Sequence, residues 1–480
     1  MNTMQKVPTG VPGLDTITNG GLPKGRTTLL TGKSGAAKSI LALQLANQFA
    51  RSGLKTMVFT IEETPADLIT TGDGLGFGTS ELVAQGKLRF TDLTFPLDAN
   101  TIITGEYDIA ALVHRIEAAV TEFGAQVIVL DSATALFSPK PPEERLRHQF
   151  FELVRTFRRL DLTALVTAEA PDDYGARTTL GVEDFVCDVV LILRNLVDNE
   201  RRRRTLEVHK YRRSAHQKGE YPCTITGKGL MVFPFGVQGT PEARPTTSRF
   251  SSGFAGLDTM TNGGWLRDSI TLLRGPSGSG KTTLAGMYAR AGAARGERVV
   301  YYGFEETYGI LMRNFASLGL PMEELVKKGH LRVECSYPEA TSPEDLLVNL
   351  RKSLEDFEPS LIVLDSISSI AHSTSARGFR QFIIGFSSLV REHSRSALLT
   401  QTITVHQDDS AAPFLSTIPD AIIALDYERR DRKLARSISV VKMRGSAHAE
   451  DTYLMHIRPG GLSVEAPHDS HAEAELQTRR

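Results

Sequence analysis

Short apolar runs recur along the chain, and each is followed by a stretch with apolar residues at helical spacing. Ile270-Thr271-Leu272-Leu273 reads as a buried strand, and Thr283-Leu284-Ala285-Gly286-Met287-Tyr288-Ala289 beyond it reads as a helix. Thr56 to Ile61 and Arg298 to Phe304 read as strands, as do Val127 to Leu130 and Leu361 to Leu364, which run into Asp131 and Asp365. Leu41 to Phe49 and Asp345 to Phe357 carry apolar residues at helix spacing. Buried strands alternating with helices predict an α/β fold with a mainly parallel sheet and helices on both faces. Ligands of such sheets sit at the carboxyl ends of the strands.

The pattern occurs twice. Gly10-Val-Pro-Gly-Leu-Asp15, followed by Thr18-Asn-Gly-Gly21, returns as Gly253-Phe-Ala-Gly-Leu-Asp258, followed by Thr261-Asn-Gly-Gly264. The spacing of 243 residues between Asp15 and Asp258 also relates Gly32 to Gly275, Lys38 to Lys281 and Glu62-Glu63 to Glu305-Glu306. Lys210, Arg212 and His216 match Lys442, Arg444 and His448 at an offset of 232. A repeat this long marks two tandem globular domains rather than a solenoid. The boundaries expected are 1–235 and 250–458, with a Gly- and Pro-rich linker at 236–249 and a loosely ordered tail at 459–480.

Residues 275–282, Gly-Pro-Ser-Gly-Ser-Gly-Lys-Thr, lie between the strand and the helix and complete a G-x-x-x-x-G-K-[ST] phosphate loop. Successive backbone N–H groups and the helix dipole would face an anion there. Gly275, Pro276, Ser277, Gly278, Ser279 and Gly280 form the cradle, Lys281 reaches the β- and γ-phosphates, and the Thr282 hydroxyl ligates Mg²⁺. The first copy supplies Gly32, Lys33, Ser34, Gly35, Ala36, Ala37, Lys38 and Ser39. An Asp after a strand is usually a turn former or cap, but beside a phosphate loop Asp131 and Asp365 suit Mg²⁺, with Ser39 and Thr282. Glu62-Glu63 and Glu305-Glu306 would raise each other's pKa, and one of each pair would take a proton from the nucleophile. Two solvated acids opening a helix would be the ordinary alternative. Lys210, Arg212 and His216, with Lys442, Arg444 and His448, are placed on the last strand of each copy. Their repetition suggests cations delivered to the nucleotide of a neighbouring subunit, which requires a ring or a filament.

With 55 Lys and Arg against 56 Asp and Glu, the chain has no overall attraction for nucleic acid or anionic lipid. It shows neither a signal-like apolar core nor a spanning run, so a cytoplasmic protein with no membrane contact is expected. Three scattered cysteines give no disulfide framework or zinc site. Arg201-Arg202-Arg203-Arg204 lacks aromatics for base stacking and reads as a solvated hairpin or a subunit-contact face.

Together these residues resemble the KaiC family of double-domain ATPases and autokinases of the cyanobacterial clock. The more specific marks are Glu200 to Glu207, Lys218-Gly-Glu-Tyr-Pro222, Phe379-Arg-Gln-Phe382 and Lys442-Met-Arg-Gly-Ser446. The resemblance implies tandem RecA-like P-loop NTPase domains in a two-tiered homohexamer, with ATP and Mg²⁺ between subunits, an ATPase ring from the first half and an autokinase ring from the second. It implies phosphorylation of Ser416 and Thr417, and a KaiB-like or signalling partner. Ala37 stands where the family's first loop has glycine, His372 replaces an arginine, and Ala411 replaces a threonine near the phosphosites. The tail does not resemble the segment that binds the KaiA-type activator, so no dependence on it is expected. A RecA-like DNA motor and a nucleotide-dependent assembly scaffold are the alternatives.

Overall fold

The computed structural model describes residues 4–93, 109–138, 141–181, 183–198, 201–234, 246–337, 342–403, 413–430 and 433–465. The chain divides into Met1–Pro234 and Phe235–Arg480. Each unit carries a nine-stranded sheet.

In the first unit the spatial order is Gly229–Val232, Glu220–Thr226, Arg201–Tyr211, Val189–Asp198, Thr27–Gly32, Thr163–Glu169, Val127–Asp131, Thr56–Thr60 and Leu88–Asp92. In the second it is Gly461–Glu465, Tyr453–Arg458, Lys433–Met443, Ala421–Arg430, Ile270–Gly275, Ser396–Thr402, Leu361–Asp365, Val299–Gly303 and Leu331–Cys335. The last six strands of each order run parallel, and the first three add antiparallel pairs. The strand that feeds each phosphate loop is central, so the loop emerges at a carboxyl edge between two parallel neighbours.

Alternation along the strands accounts for two helical layers. In Val299–Gly303, Tyr301 meets Phe315 edge-on at 5.8 Å and belongs to a core with Leu284 and Tyr288 of helix Lys281–Ala294. The next residue, Tyr302, faces the other way, and its hydroxyl donates to Ser353 Oγ (2.9 Å) of helix Pro343–Asp356. Leu346, Leu350, Phe382 and Phe386 from this helix and from Ala376–Glu392 pack on that face with Tyr302 and Leu364. Both helices begin at a serine cap: Ser342 Oγ accepts from Asp345 N–H and Ser375 Oγ from Gly378 N–H, each at 3.1 Å.

Two expectations are corrected. Lys210 and Lys442 end the third strand from the antiparallel edge rather than the last strand of each copy, and Arg212 and Arg444 lie just beyond. In the first copy two strands follow, of which Gly229–Val232 is only four residues long and Glu220–Thr226 contains Pro222, which argues against a strand inside a sheet. The loosely ordered tail does not begin at residue 459, because Gly461–Glu465 pairs with Tyr453–Arg458. Glu200, Ala411, linker residues 236–245 and tail residues 466–480 lie outside the described residues.

Glu297, before strand Val299–Gly303, accepts from Arg267 Nη1 (2.6 Å) and Arg295 Nε (2.8 Å). Burial alone would raise its pKa, but the two guanidinium groups hold it down to about 2. A carboxylate depressed in this way stabilises the folded state above its ordinary value of about 4.5 and loses that contribution as the pH falls toward 2. Glu297→Gln should therefore destabilise the second unit by about 3 kcal/mol at neutral pH. In urea unfolding the gap to wild type should narrow at about pH 3; a gap independent of pH would contradict this assignment.

Candidate active site

Strand Ile270–Gly275 is buried in the sheet, and the chain leaves it to form the loop that ends at helix Lys281–Ala294. Gly280, just before the helix, is left-handed at φ 106°, a turn that brings the first helical N–H groups toward the loop. The first loop turns the same way with the wrong residue: Ala37 precedes helix Lys38–Arg51 at φ 81°, ψ 29°. An alanine held there costs about 1–2 kcal/mol relative to ordinary backbone.

Both loop lysines are buried and folded over their own loops. Lys281 Nζ donates to Gly275 O and Pro276 O, each at 2.9 Å, and Lys38 Nζ donates to Gly32 O (2.8 Å) and Lys33 O (3.0 Å). Burial lowers the pKa of each, and nearby acids oppose the shift. The Ser279 hydroxyl is buried in the second loop with no protein partner among the described residues, and a ligand or water would satisfy it.

Asp365 is buried at the end of strand Leu361–Asp365, at 8 % exposure. It accepts from Tyr301 Oη (2.6 Å), Thr400 Oγ1 and Thr282, and burial pushes its pKa up against these bonds. Asp131 accepts from Thr167 Oγ1 in the matching place, and Ser39 lies in the first turn of its helix. The peptide bond after each aspartate is cis. These oxygen donors fit Mg²⁺, one carboxylate and one hydroxyl per site, leaving further positions to phosphate and water.

The glutamate pairs divide. Glu305 Oε1 accepts from Ser366 Oγ (2.6 Å) and Ser369 Oγ (3.1 Å), next to Asp365, and acts with Asp365 on Lys281. Glu306 Oε2 instead accepts from Asn314 Nδ2 (3.0 Å) of helix Tyr308–Ser317. Glu62 likewise acts on Lys38, whereas Glu63 lies near Asp67. The pKa of Glu62 and Glu63 is raised, but burial leads in both, followed by Asp131; Glu62 is the least of the causes at Glu63. The expected mutual repulsion is thus a minor contribution: each pair sits in a bend just beyond strand Thr56–Thr60 or Val299–Gly303, and its two side chains take different neighbours.

The repeated cations are not brought to their own phosphate loops. Lys442 pairs with Ile422, which pairs with Leu272, in the half of the strand away from its loop, and Arg444 N–H donates to Asp420 O beside Ile270, where that strand begins. Lys210 relates to Leu29 through Val190 in the same way. Lys442 Nζ donates to Ser416 O (2.9 Å) and Pro419 O (2.8 Å), and Arg444 Nη2 donates to Thr417 O (2.7 Å). Ser416 and Thr417 are exposed at the end of a 3-10 turn, Pro413–Ser416. Arg212 donates to Phe185 O (2.9 Å), His216 stacks on Tyr211, and His448 Nδ1 lies 3.0 Å from Ala449 O.

Residues that the motifs did not reveal complete the sites. Tyr427 Oη donates to Ser277 O (3.2 Å) and Arg436 Nε to Gly278 O (3.1 Å), while Asn195 Nδ2 donates to Gly35 O (3.1 Å). Glu169 ends the strand beside Gly32 and acts on both Lys38 and Glu62. Thr167 and Thr400 were detectable, since they occupy one position in the two copies; the position of Glu169 is held by Thr402 in the second copy, so repetition gave no signal there.

A phosphate loop on a central parallel strand, with a strand-terminal aspartate two strands away, defines a P-loop NTPase, here duplicated in tandem. A family model described as "ATPase: KaiC" matches residues 7–236 and 250–469. The circadian clock oscillator protein KaiC of Picosynechococcus sp. is 38 % identical over 468 residues, covering 96 % of this chain and 90 % of that protein. In Synechocystis sp., the circadian clock oscillator protein KaiC 1 is 38 % identical over 451 residues (93 % and 86 %). The circadian clock protein KaiC3 of the same organism is 37 % identical over 467 residues (97 % and 92 %). The chain belongs to the KaiC family, and with it to the ATP-dependent ATPases and autokinases; nothing favours a DNA motor. Among the described residues no helix is long and apolar enough to cross a membrane.

Ala37→Gly removes the strain at the first loop, partly offset by the freedom glycine gains in the unfolded chain. It should stabilise the loop by about 1 kcal/mol, and ATP binding tightens, by up to about tenfold, only as far as the bound loop demands the left-handed turn more strictly than the free one. Nucleotide titration of the full chain carrying Lys281→Ala isolates the first site. Weaker binding by the glycine variant would contradict the strained geometry.

Proposed function

We propose that the first half hydrolyses ATP and the second transfers the γ-phosphate to Ser416 and Thr417 of a neighbouring copy, so that phosphorylation state serves as a timer. The observation that carries this reading is the register of the second sheet. The acceptor segment and its two cations, Lys442 and Arg444, sit together at the end of the sheet away from their own phosphate loop. This placement favours a γ-phosphate brought by another subunit, which requires a ring or a filament. We therefore read the assembly as the cytoplasmic double-ring homohexamer of the family, with a KaiB-like or signalling partner and no KaiA-type activator.

Within a site, the loop backbone and Lys38 or Lys281 hold the phosphates, and Ser39 with Asp131 or Thr282 with Asp365 would hold Mg²⁺. When bound, the ion neutralises charge on the transferring phosphates. Glu305, fixed by Ser366 and Ser369, is placed to take the proton of an attacking hydroxyl, and Glu62 that of water. Lys442 and Arg444, or Lys210 and Arg212, would stabilise charge in the neighbour's transition state, with His448 or His216 against the nucleotide. Glu306 and Glu63 complete the acidic pairs.

Incubation with ATP and Mg²⁺ should place phosphate on Ser416 and Thr417, and Glu305→Gln should lower it by at least about a hundredfold. Absence of phosphate from both residues, mapped by peptide mass spectrometry, would exclude the autokinase assignment. Mixing Lys281→Ala chains with chains carrying Ser416→Ala and Thr417→Ala tests the direction of transfer. Phosphate should reach the Lys281→Ala chains in mixed assemblies and neither variant alone; labelling of Lys281→Ala chains by themselves would contradict transfer dependent on that loop.

A further inference from the structure

The two sites share a framework, and one of their differences is a side chain at the edge of the nucleotide crevice. Glu169 ends strand Thr163–Glu169 opposite Gly32, and Thr402 ends strand Ser396–Thr402 opposite Gly275. Their backbones are held alike: Glu169 N–H donates to Thr134 Oγ1 at 2.9 Å, and Thr402 N–H donates to Ser368 Oγ at 2.8 Å. The next N–H, of Ala170 or Ile403, donates to Gly32 O (3.0 Å) or Gly275 O (3.1 Å). What differs is charge. Of the acids acting on Lys38, Glu169 comes first, ahead of Asp131 and Glu62; Lys281 feels Asp365 and Glu305, with no third acid.

We propose that Glu169 is a further catalytic carboxylate of the first half, which fixes the attacking water, and that Thr402 in its place commits the second half to a hydroxyl acceptor. This deepens the division of labour proposed above and rests on it. In hydrolysis the water oxygen bonds to the γ-phosphorus as the bond to the β,γ-bridging oxygen breaks. ADP leaves with that electron pair, and the water proton passes to a carboxylate. Free water has no chain to hold it, so a second acceptor restricts its orientation and raises its effective concentration. A Ser or Thr hydroxyl is positioned by its own backbone and needs no such partner. In the second half a further anion would only repel the γ-phosphate, and the neutral Thr402 avoids this.

A competing role for Glu169 is a resting counter-ion that Lys38 leaves when nucleotide binds. Loss of a counter-ion would tighten ATP binding and leave kcat unchanged, whereas loss of a water-fixing group lowers kcat with little effect on KM. The test is phosphate release by the full chain carrying Glu305→Gln, which silences the second half. Glu169→Thr should lower kcat at least about tenfold, and Glu169→Gln, which still accepts a hydrogen bond but takes up no proton at neutral pH, should fall between. If the threonine variant no longer binds ATP, the near-isosteric glutamine variant decides. In the otherwise wild-type chain, Thr402→Glu should increase phosphate release and reduce phosphate on Ser416 and Thr417. An unchanged kcat for Glu169→Thr and Glu169→Gln, with activity lost in Glu62→Gln, overturns this role alone. If Glu62→Gln is also unaffected, the assignment of hydrolysis to the first half falls with it.

Discussion

The backbone ladder that locks Ile270–Gly275 and Thr27–Gly32 into the middle of their sheets is the constraint on which both sites depend. Each strand pairs in parallel with a neighbour on either side, so neither its position nor its direction can slip without breaking two ladders. At the carboxyl edge the chain must turn sharply into a helix, and a left-handed residue makes that turn. The lysine, the strand-terminal aspartate and the first glutamate of each pair reach the loop because their own strands are fixed in register with it. Phosphoryl transfer asks little more of a protein than such placement of charge.

Duplication sets two solutions of that constraint side by side in one chain. The second half keeps glycine at the turn and a neutral threonine beside the loop. The first half carries strained Ala37 and the additional acid Glu169. Both first-half differences bear on the loop itself, one through backbone conformation and the other through the field around the lysine.

Lys442 and Arg444 hold the backbone of Ser416–Pro419 and not its side chains. Ser416 and Thr417 are exposed while the segment carrying them is anchored to the strand that bears the cations. Asp420 extends the anchor: its N–H donates to Ile270 O, its Oδ2 accepts from Ile270 N–H, and Arg444 and Arg391 pair with its carboxylate. Acceptor, cations and the base of the phosphate-loop strand are thereby one connected unit.

The sequence by itself determined the duplication and the strand–loop–helix unit that carries Lys281 and Thr282, because these depend on local spacing and on repetition. It marked Ala37 as a departure but left its conformation open. Pairing between distant strands decided the rest. The glutamates of each pair diverge because the bend after the strand carries them to different neighbours. The repeated cations face away from their own loop because two registers in succession carry them to the far end of the sheet. Glu169 became part of a site only when strand Thr163–Glu169 was laid beside Gly32, a contact between residues that nothing in their local sequence connects.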